Sequence, residues 1–361
     1  MKKVLILTNS SVGLFAFRNE LVLELVKKYD VTVTFPDDEH EEELKQEGCK
    51  IIKTPINRRG VNPIEDMKLF FTYMKLLKST KPDVVLTYTI KPNVYGGLAC
   101  SLKRIPYMTN ITGLGAALIN PGILQVITKL LYKIGLKRVK TVFLQNQVNY
   151  DFFKNSRLTK AEMVLLPGSG VNTDRFSLLP WPKDSTEFIF IARIMKEKGI
   201  EEYLTCAEEI RKDYPNAVFN IVGPCQEHYE KQLAEANEAG IIRYHGSVKD
   251  VRPFLEKVKC IIHPSCSEGM SNVCLEAAAS GRVVITTDSP GCIETVKDGE
   301  TGFVFETKNA EKLIEAVRAF LELSDEDAKQ MGLAGRSFVK ENFDRAIVVN
   351  EYLSRIEQMV D

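Results

Sequence analysis

The chain has 361 residues, and its 48 Lys and Arg balance 48 Asp and Glu, so the formal net charge is zero. This length indicates two domains of ordinary size. The first apolar run, residues 4–8, is far too short for a signal sequence or a membrane span, which predicts a cytoplasmic chain. The eight cysteines form no Cys-x-x-Cys pair and have no nearby histidine set, which argues against zinc and disulfides and favours reduced thiols.

The zero net charge conceals an asymmetry between the two halves of the chain. Residues 1–175 contain 26 basic and 16 acidic side chains, whereas residues 176–361 contain 22 and 32. From Val84 to Tyr150 there is no acidic residue, although eight Lys and Arg lie there. We therefore expect an anionic partner for the first half of the chain.

The first half alternates patterns typical of strands and of helices. The predicted strands are 4–8, 31–35, 50–53, 84–88, 107–111 and 141–144. Such alternation predicts a mostly parallel sheet flanked by helices, with ligands at the carboxyl ends of the strands. After the first strand, Gly13 would let a phosphate or sugar approach the N-terminus of a helix predicted from Ala16 to Lys28. A plain connecting glycine explains Gly13 equally well.

The segment 113–118 begins like a dinucleotide-binding fingerprint after a predicted strand. Leu118 stands where the third glycine should be, and no acidic residue follows at the spacing of about 20 that a ribose contact needs. We therefore expect no NAD site here.

A domain boundary is indicated by turn-forming residues, which cluster from Leu165 to Phe176 and again from Pro180 to Pro182. We assign residues 1–167 to the first domain and residues 168–343 to the second. The second half repeats the alternating pattern, with predicted strands at 188–192, 217–222, 241–244, 260–263 and 283–287. Two similar α/β domains follow from this repetition.

The stretch from Ser265 to Gly281 places two carboxylates, Glu268 and Glu276, around a turn between a buried strand and a helix predicted from Ser271 to Ser280. The first N–H groups of a helix have no intrahelical partner, and Gly269 lets a ligand approach the backbone closely. The turn therefore suits a phosphate, while Glu276 suits sugar hydroxyls, and a nucleotide-sugar has both parts. An ordinary turn with two solvated glutamates is the alternative.

Two cations leave the end of another predicted strand, in the stretch from Ile189 to Gly199. Arg193 and Lys198 could neutralise a diphosphate leaving group as its charge develops. Taken singly, each is more commonly a surface cation. His263, at a further strand end, is interpreted as a structural polar group rather than a base.

Together, the Arg193 and Lys198 pair and the Glu268-x7-Glu276 pair resemble the retaining glycosyltransferases of family 4, over nearly the whole chain. The resemblance implies an α/β fold of GT-B architecture, with two Rossmann-like domains facing across a cleft. The first domain would bind the acceptor and the second the nucleotide-sugar. The last helix, in residues 344–361, would pack back on the first domain.

The resemblance also implies roles for individual residues. Catalytic roles fall to Arg193, Lys198 and Glu268. The donor site is expected to comprise Gly13, Arg193, Lys198, Pro224, Val248, Glu268, Gly269, Met270, Ser271, Asn272 and Glu276. The acceptor site is expected to comprise Ser11, Lys91, Asn93, Thr112 and Gly113. Some relatives carry a His or Glu near this last loop and this chain carries neither, so no catalytic base is assigned.

The sequence gives no reason to expect a metal or any other cofactor. The Asp-x-Asp sequence at 325–327 follows Ser324 at a predicted helix start, where helix capping explains it. Arg193 and Lys198 are available to stabilise the departing diphosphate, so no divalent ion is required.

Contact with an anionic membrane surface is indicated by two segments. Residues 121–139 interleave aliphatic side chains with a set of four cations: Lys129, Lys133, Lys137 and Arg138. Residues 62–81 have a similar pattern. Basic amphipathic helices of this kind lie on lipid surfaces. A core helix with a solvated basic face is the alternative.

Residues 88–93 and 268–273 look like the branch of the family that extends polyprenyl-diphosphate-linked sugars for capsule, O-antigen or glycoprotein assembly. We therefore predict an enzyme, a hexosyltransferase that moves a hexose or N-acetylhexosamine from a UDP-sugar to a lipid-linked saccharide. It would lie peripherally on the inner face of the cell membrane, without a nucleic-acid partner. The alternatives are a non-hydrolysing sugar-nucleotide epimerase of the same architecture and a non-catalytic sugar-nucleotide sensor.

Overall fold

The computed structural model describes residues 1–37, 39–57, 62–114, 118, 122–183 and 185–360. These residues divide into two compact units, unit 1 with Met1–Ser169 and Ala346–Asp361, and unit 2 with Gly170–Arg345. The chain passes between the units at 169/170 and 345/346, whereas the boundaries chosen from the sequence were 167/168 and 343/344. Unit 1 is therefore built from two separate stretches of chain.

The described part of unit 1 forms a seven-stranded parallel sheet in the order β3-β2-β1-β4-β5-β6-β7. Its strands are β1 Lys3–Leu7, β2 Asp30–Phe35, β3 Lys50–Lys53, β4 Val84–Tyr88, β5 Tyr107–Ile111, β6 Thr141–Leu144 and β7 Glu162–Leu165. The strand order reverses between β1 and β4, which is where open α/β sheets bind ligands.

The helices of unit 1 follow these strands in alternation. They are α1 Ser11–Lys28, α2 Glu41–Gln46, α3 Pro63–Thr80, α4 Gly97–Lys103, α5 Ile123–Gly135 and α6 Gln147–Asn155, and a wide turn, Pro92–Gly96, precedes α4. The start predicted for α1, at Ala16, was wrong. The Ser10 hydroxyl accepts a hydrogen bond from the Gly13 amide at 3.3 Å, and this cap brings the preceding residues into the helix.

The described part of unit 2 forms a six-stranded parallel sheet in the order β10-β9-β8-β11-β12-β13. Its strands are β8 Glu187–Ile191, β9 Val218–Val222, β10 Ile242–Tyr244, β11 Cys260–His263, β12 Val283–Thr287 and β13 Gly302–Phe305. Its helices are α7 Ile200–Asp213, α8 Glu230–Glu238, α9 Arg252–Leu255, α10 Asn272–Ala279, α11 Ala310–Leu321 and α12 Asp325–Phe343. Ser324 caps α12 by accepting from the Asp327 amide at 3.1 Å, so capping does account for the acidic run at 325–327.

The last helix, α13 (Arg345–Val360), contributes to the core of unit 1 from residue 346 onward. Val348, Tyr352 and Ile356 are buried in the same apolar cluster as Val4 and other residues of the sheet. Tyr352 also accepts a hydrogen bond from the Asn110 side chain at 2.6 Å. The sheet of unit 1 is thus covered on this face partly by α13.

The strands predicted from the sequence all occur, with ends within one residue of the predicted ones. Two strands, β7 and β13, were not predicted. Each is a four-residue strand at one edge of its sheet, and such short, partly exposed runs carry a weak pattern. Within the described ranges, no helix combines the length and the apolar character needed to cross a bilayer.

Candidate active site

The turn that carries Glu268 connects β11 to α10 in unit 2. Ser271 caps α10, because its hydroxyl accepts a hydrogen bond from the Cys274 amide at 3.3 Å. The Glu268 amide donates to the Pro290 carbonyl at 3.0 Å, and the Ser271 amide donates to the Gly291 carbonyl at 2.6 Å. The loop that follows β12 therefore holds the turn at two positions, Glu268 and Ser271.

Lys198 and Glu268 lie together although 70 positions separate them in the sequence. The Lys198 ammonium is 2.5 Å from Glu268 Oε1, and the two side chains are only 13% and 20% exposed. His263, which is fully buried at the end of β11, places its Nε2 3.3 Å from the same carboxylate oxygen. One carboxylate is thus contacted by an ammonium and an imidazole.

The charges of this cluster follow from its contacts. Burial disfavours the charged form of Glu268, but the hydrogen bond to His263 and the charges of His263 and Lys198 outweigh it, lowering the pKa of Glu268 to about 2. Burial likewise opposes the imidazolium, yet Cys292 and Glu268 raise the pKa of His263 to about 9. At neutral pH the cluster therefore contains two cations and one anion.

Two glycines allow the loops of this cluster to approach each other. Gly199 has φ +76°, and a Cβ there would lie 2.2 Å from the Pro264 carbonyl oxygen. Gly291 has φ +81°, and a Cβ there would lie 2.5 Å from the Glu268 carbonyl oxygen. The Cys266 amide also donates to the Glu197 carbonyl at 2.9 Å. A side chain at Gly199 would collide with the Pro264 backbone and one at Gly291 with the Glu268 backbone, so either would force a loop of this cluster to shift.

Arg193 follows β8 and is exposed between half-buried Ala192 and buried Ile194, and its guanidinium donates to Gln226 at 3.0 Å. The Arg193 guanidinium is therefore oriented by a neutral partner, and its positive charge remains available to bind an anion. Gly223, with φ +144°, lets the chain after β9 pass close to Ala192, since a Cβ there would lie 1.7 Å from the Ala192 carbonyl oxygen. The Ile194 amide donates to Pro224 at 2.9 Å, which joins two predicted donor-site segments.

Glu276 lies in α10, one turn after the Glu268 corner, and is half-buried. Burial raises the pKa of Glu276 to about 7, although the charges of Arg345 and Arg175 act in the opposite direction. Its carboxyl group therefore changes charge near neutral pH. Perturbed carboxyls of this kind are common at functional sites.

The other residues predicted for the donor site fall into two groups. Gly269, Met270, Ser271 and Asn272 form the turn and the first residue of α10, and Val248 packs against the apolar cluster beneath this turn. Gly13 lies in unit 1, inside the first turn of α1. The donor residues of unit 2 thus follow the carboxyl ends of β8, β9, β10 and β11, which is the edge at which parallel sheets bind ligands.

The residues predicted for the acceptor site all lie in unit 1. The Ser11 amide and hydroxyl donate to Asp37, and Lys91 forms an ion pair with Asp66. The Asn93 side chain is buried and donates to the Asn110 carbonyl at 2.8 Å, so it supports the backbone near the carboxyl end of β5. Thr112 is exposed and Gly113 half-exposed on the loop that follows; residues 115–117 of this loop lie outside the described residues.

Helix α5 carries the predicted membrane patch, and its apolar side chains face solvent. Six large ones are exposed, namely Ile123, Leu124, Val126, Ile127, Leu130 and Ile134. The buried side of α5 consists of Thr128, Tyr132 and Gly135. Gly135 packs against Val94, since a Cβ at 135 would lie 2.7 Å from the Val94 Cα. A core helix with a solvated basic face, the alternative from the sequence, does not describe α5.

Two of the four cations of this patch, Lys129 and Lys133, lie on one flank of that apolar face, and Lys137 and Arg138 follow the end of α5. Lys133, Lys137 and Arg138 are exposed, whereas Lys129 is half-buried with its ammonium 4.9 Å from the centre of the Phe152 ring. Pro121, where the predicted segment begins, lies outside the described residues. On α3, Ile64, Met67 and Phe71 are also exposed.

Several contacts were not found from the sequence. They are the Glu268 contact of His263, the support by Gly291, and the acidic partners Asp37 and Asp66. The one available signal for Gly291 was a glycine that directly follows Pro290, in the loop after the strand predicted at 283–287. Among the described residues, no group of three or more His, Cys, Asp or Glu is arranged to hold a metal ion.

Comparison with known families decides the class of the protein. A model described as "Glycosyl transferase 4-like" matches residues 3–146, and one described as "Glycosyl transferases group 1" matches residues 172–338. The two matches together span most of both units. The chain is a glycosyltransferase with a family 4-like first part and a group 1 second part.

Solved structures show that this glycosyltransferase has the GT-B fold. A glycosyltransferase from Rickettsia africae aligns over 100% of this chain and 99% of its own, with a TM-score of 0.80 at 21% identity. HepE from Anabaena, solved in complex with UDP and glucose, aligns over 99% and 100%, with a TM-score of 0.79 at 15% identity.

Curated relatives of the glycosyltransferase include two with named lipid-linked substrates. A Campylobacter jejuni protein is 26% identical over 98% of each chain, and is named N,N'-diacetylbacillosaminyl-diphospho-undecaprenol alpha-1,3-N-acetylgalactosaminyltransferase. An Escherichia coli protein is 23% identical over 72% of this chain and 71% of its own, and is named UDP-Gal:alpha-D-GlcNAc-diphosphoundecaprenol alpha-1,3-galactosyltransferase.

Proposed function

We propose that this glycosyltransferase moves a hexose or N-acetylhexosamine from a UDP-sugar to a polyprenyl-diphosphate-linked saccharide in capsule, O-antigen or glycoprotein glycan assembly. The cluster of Lys198, Glu268 and His263 at the carboxyl ends of parallel strands is the observation that carries the proposal. The UDP moiety and retention of the anomeric configuration are expected from the family resemblance.

The donor would be held by residues of unit 2. A lysine ammonium has three donors, so Lys198 can keep its contact with Glu268 and still donate to a phosphate oxygen. Arg193 offers a second cation, and the first N–H groups of α10 have no intrahelical acceptors. Glu268, ionised through its two contacts, would accept hydrogen bonds from the donor sugar, and Glu276 from the ribose.

Negative charge develops on the leaving diphosphate during the proposed transfer. The bond between the anomeric carbon and the diphosphate oxygen breaks, and that oxygen keeps the electron pair. The acceptor hydroxyl forms the new carbon–oxygen bond, and its proton passes to the departing diphosphate. Arg193 and Lys198 are fixed cations beside the developing charge, so they stabilise the transition state more than the ground state. We propose that no metal ion or other cofactor takes part.

The acceptor is proposed from the relatives. The names of the Campylobacter jejuni and Escherichia coli proteins both contain diphospho-undecaprenol saccharides, and the first of these proteins is similar over nearly the full length of both chains. A lipid-linked acceptor resides in a membrane. The proposed enzyme therefore has to work at the surface of a bilayer.

The exposed face of α5 supports peripheral attachment to the inner, anionic face of the cell membrane. Ile123 and Val126 are 81% and 66% exposed, and Lys133, Lys137 and Arg138 lie beside this face. Apolar side chains enter the boundary between headgroups and acyl chains, while each nearby cation contributes about 1 kcal/mol at an anionic surface. The combination fits a helix that lies on a membrane.

One assay tests the proposal. The purified protein is incubated with a panel of UDP-sugars and a membrane lipid extract, and both UDP and an extended lipid-linked saccharide are measured. We expect the two products in equal amounts. Interconversion of UDP-sugars without acceptor would indicate an epimerase, and donor binding without turnover would indicate a sensor; either result would overturn the proposed transfer.

A further inference from the structure

His263 is a buried titratable side chain that has no role of its own in the proposed transfer. It ends β11, which lies between β8 and β12 in the sheet of unit 2, and only 2% of its surface is exposed. The Thr286 hydroxyl donates to the His263 carbonyl at 2.9 Å, which holds the backbone of this residue in place. A ring at this depth does not touch a substrate. Any effect of His263 on the reaction must therefore act through a neighbouring side chain.

That neighbour is Glu268, whose carboxylate is shared by two nitrogen atoms. His263 Nε2 and Lys198 Nζ lie 3.3 Å and 2.5 Å from the same oxygen, Oε1. If Glu268 were paired with Lys198 alone, its negative charge would cancel the positive charge of the ammonium towards any ligand. A second, charged partner on the same oxygen offsets the carboxylate. The three side chains then keep one positive charge in excess.

The surroundings of the ring decide whether it carries this charge. Among the described residues, the titratable groups that act on His263 are Glu268 and Cys292, which lies in the loop after β12. Nδ1 makes no hydrogen bond of ordinary geometry to these residues, so the carboxylate on Nε2 is the stronger partner. Burial opposes the charged ring, but the contacts with Cys292 and Glu268 outweigh it and raise the pKa of His263 to about 9. The ring is therefore an imidazolium at neutral pH.

An excess of positive charge matters at this position because a nucleotide-sugar brings two phosphates. Diphosphates are bound by cations in excess over carboxylates and by free backbone N–H groups. The Lys198 ammonium has three donors, so it can contact a phosphate while it holds Glu268. Its electrostatic attraction for that phosphate depends on how far Glu268 is neutralised by another group. His263 is the described side chain placed to do this.

We propose that His263 is a positioning residue for the donor, which keeps the charge of Lys198 available to the diphosphate by neutralising Glu268 from inside the sheet. The same contact holds the carboxylate in place for the donor sugar. His263 itself takes up no proton from the acceptor. The inference rests on the donor site of the proposed function, but its test needs no sugar transfer.

His263→Gln removes the charge and keeps an N–H donor for Glu268. UDP is the probe, and its Kd is measured by isothermal titration calorimetry from pH 7 to pH 10. We expect the Kd of the variant to be about tenfold higher than that of wild type at pH 7, since a unit charge roughly 10 Å away still has an effect of this order inside a protein. The ratio of the two Kd values should fall towards one as the pH rises through about 9, where the wild-type ring loses its proton. Titrations that both proteins share cancel in this ratio.

His245→Gln is the matched control. His245 directly follows β10, but its Nε2 lies 2.9 Å from the neutral side-chain oxygen of Asn220 instead of a carboxylate. Burial and the charges of Arg243 and Lys257 lower the pKa of His245 below its usual 6.5, so this ring is uncharged above pH 7. The ratio of Kd values between His245→Gln and wild type should therefore be the same at pH 7 and pH 10.

Equal Kd values for His263→Gln and wild type would overturn the proposal, and so would a ratio that does not change with pH, because a merely structural histidine does not follow its own titration. Nitrogen-15 NMR of labelled histidine in the wild-type protein gives a second readout, which also serves if the variant fails to fold. We expect both ring nitrogens of His263 to be protonated at pH 7, and a singly protonated ring would refute the charge. Absence of UDP binding by wild type would overturn the proposed donor and this inference with it, whereas UDP binding without transfer would overturn the proposed function alone.

Discussion

Removal of the Lys198 ammonium tests the donor site most directly. Lys198→Ala deletes the cation that lies 2.5 Å from Glu268, at a position where it can also reach a diphosphate. Loss of one preorganised charge-stabilising contact typically lowers kcat by about 10²- to 10³-fold, or roughly 3–4 kcal/mol. We expect a loss of that size in kcat for transfer from the UDP-sugar.

The same substitution should leave the fold intact. Glu268 keeps its contact with His263, so the carboxylate does not become an isolated buried charge. We expect the unfolding midpoint to fall by only a few degrees, since about 1 kcal/mol corresponds to roughly 2–4 °C for a domain of this size. Thermal unfolding followed by circular dichroism measures this.

The matched control is Lys196→Ala. Lys196 occupies the same short turn as Lys198, but its side chain is 73% exposed and pairs with Glu201 instead. We expect the transfer rate of the Lys196→Ala variant to stay within twofold of the wild-type rate in a radiolabelled sugar-transfer assay. If Lys198→Ala were as active as Lys196→Ala while both were folded, the assignment of Lys198 to the diphosphate would be refuted.

Three further predictions follow from features of the site and of α5. Burial raises the pKa of Glu276 from 4.5 to about 7. The contribution of Glu276 to the stability of the fold is therefore complete below pH 4.5 and is lost as the pH rises through 7. Over the same rise in pH, the carboxyl group becomes a better acceptor of hydrogen bonds from the ribose. The donor KM should therefore fall between pH 6 and pH 8, and Glu276→Gln should flatten this dependence; equal slopes for both proteins would contradict the ribose role. EDTA should leave the transfer rate unchanged, whereas complete loss restored by Mn²⁺ or Mg²⁺ would show that a metal takes part. The double substitution Val126→Asp and Leu130→Asp should abolish co-sedimentation with phosphatidylglycerol vesicles, with Leu23→Asp, an exposed leucine on α1, as control; retained binding would exclude α5 as the membrane contact.

Local sequence signals were sufficient for the ends of every strand except β7 and β13, and for the Glu268 turn. β11, the turn and α10 occupy one continuous stretch of the chain. The apolar run of the strand, the glycine of the turn and the cap residue of the helix could therefore be recognised together. The contact of Lys198 with Glu268 could be expected only through the family resemblance, because nothing in either segment encodes the other. The support by Gly291 depends on a third segment, which packs against the Glu268 turn.

The orientation of α5 shows a different limit of sequence reasoning. The alternation of aliphatic and basic residues predicts an amphipathic helix, and an apolar face is normally assigned to the core. In this helix the docking side is formed by Thr128, Tyr132 and Gly135, because Gly135 allows close approach to Val94 and its carbonyl accepts from the Tyr107 hydroxyl at 2.7 Å. The sequence pattern does not reveal this, since it records periodicity and not the shape of the partner surface.

The membership of α13 in unit 1 has a consequence for biosynthesis on the ribosome. Residues 348–356 complete an apolar cluster whose other members come from the first strands and helices of the chain, yet all of unit 2 is translated in between. At about 5–20 residues per second, that delay lasts roughly 10–35 s. During this time unit 2 has its whole sequence available, while the nascent unit 1 still exposes the surface that α13 will cover. Chaperone demand during synthesis should accordingly fall on the amino-terminal part of the chain.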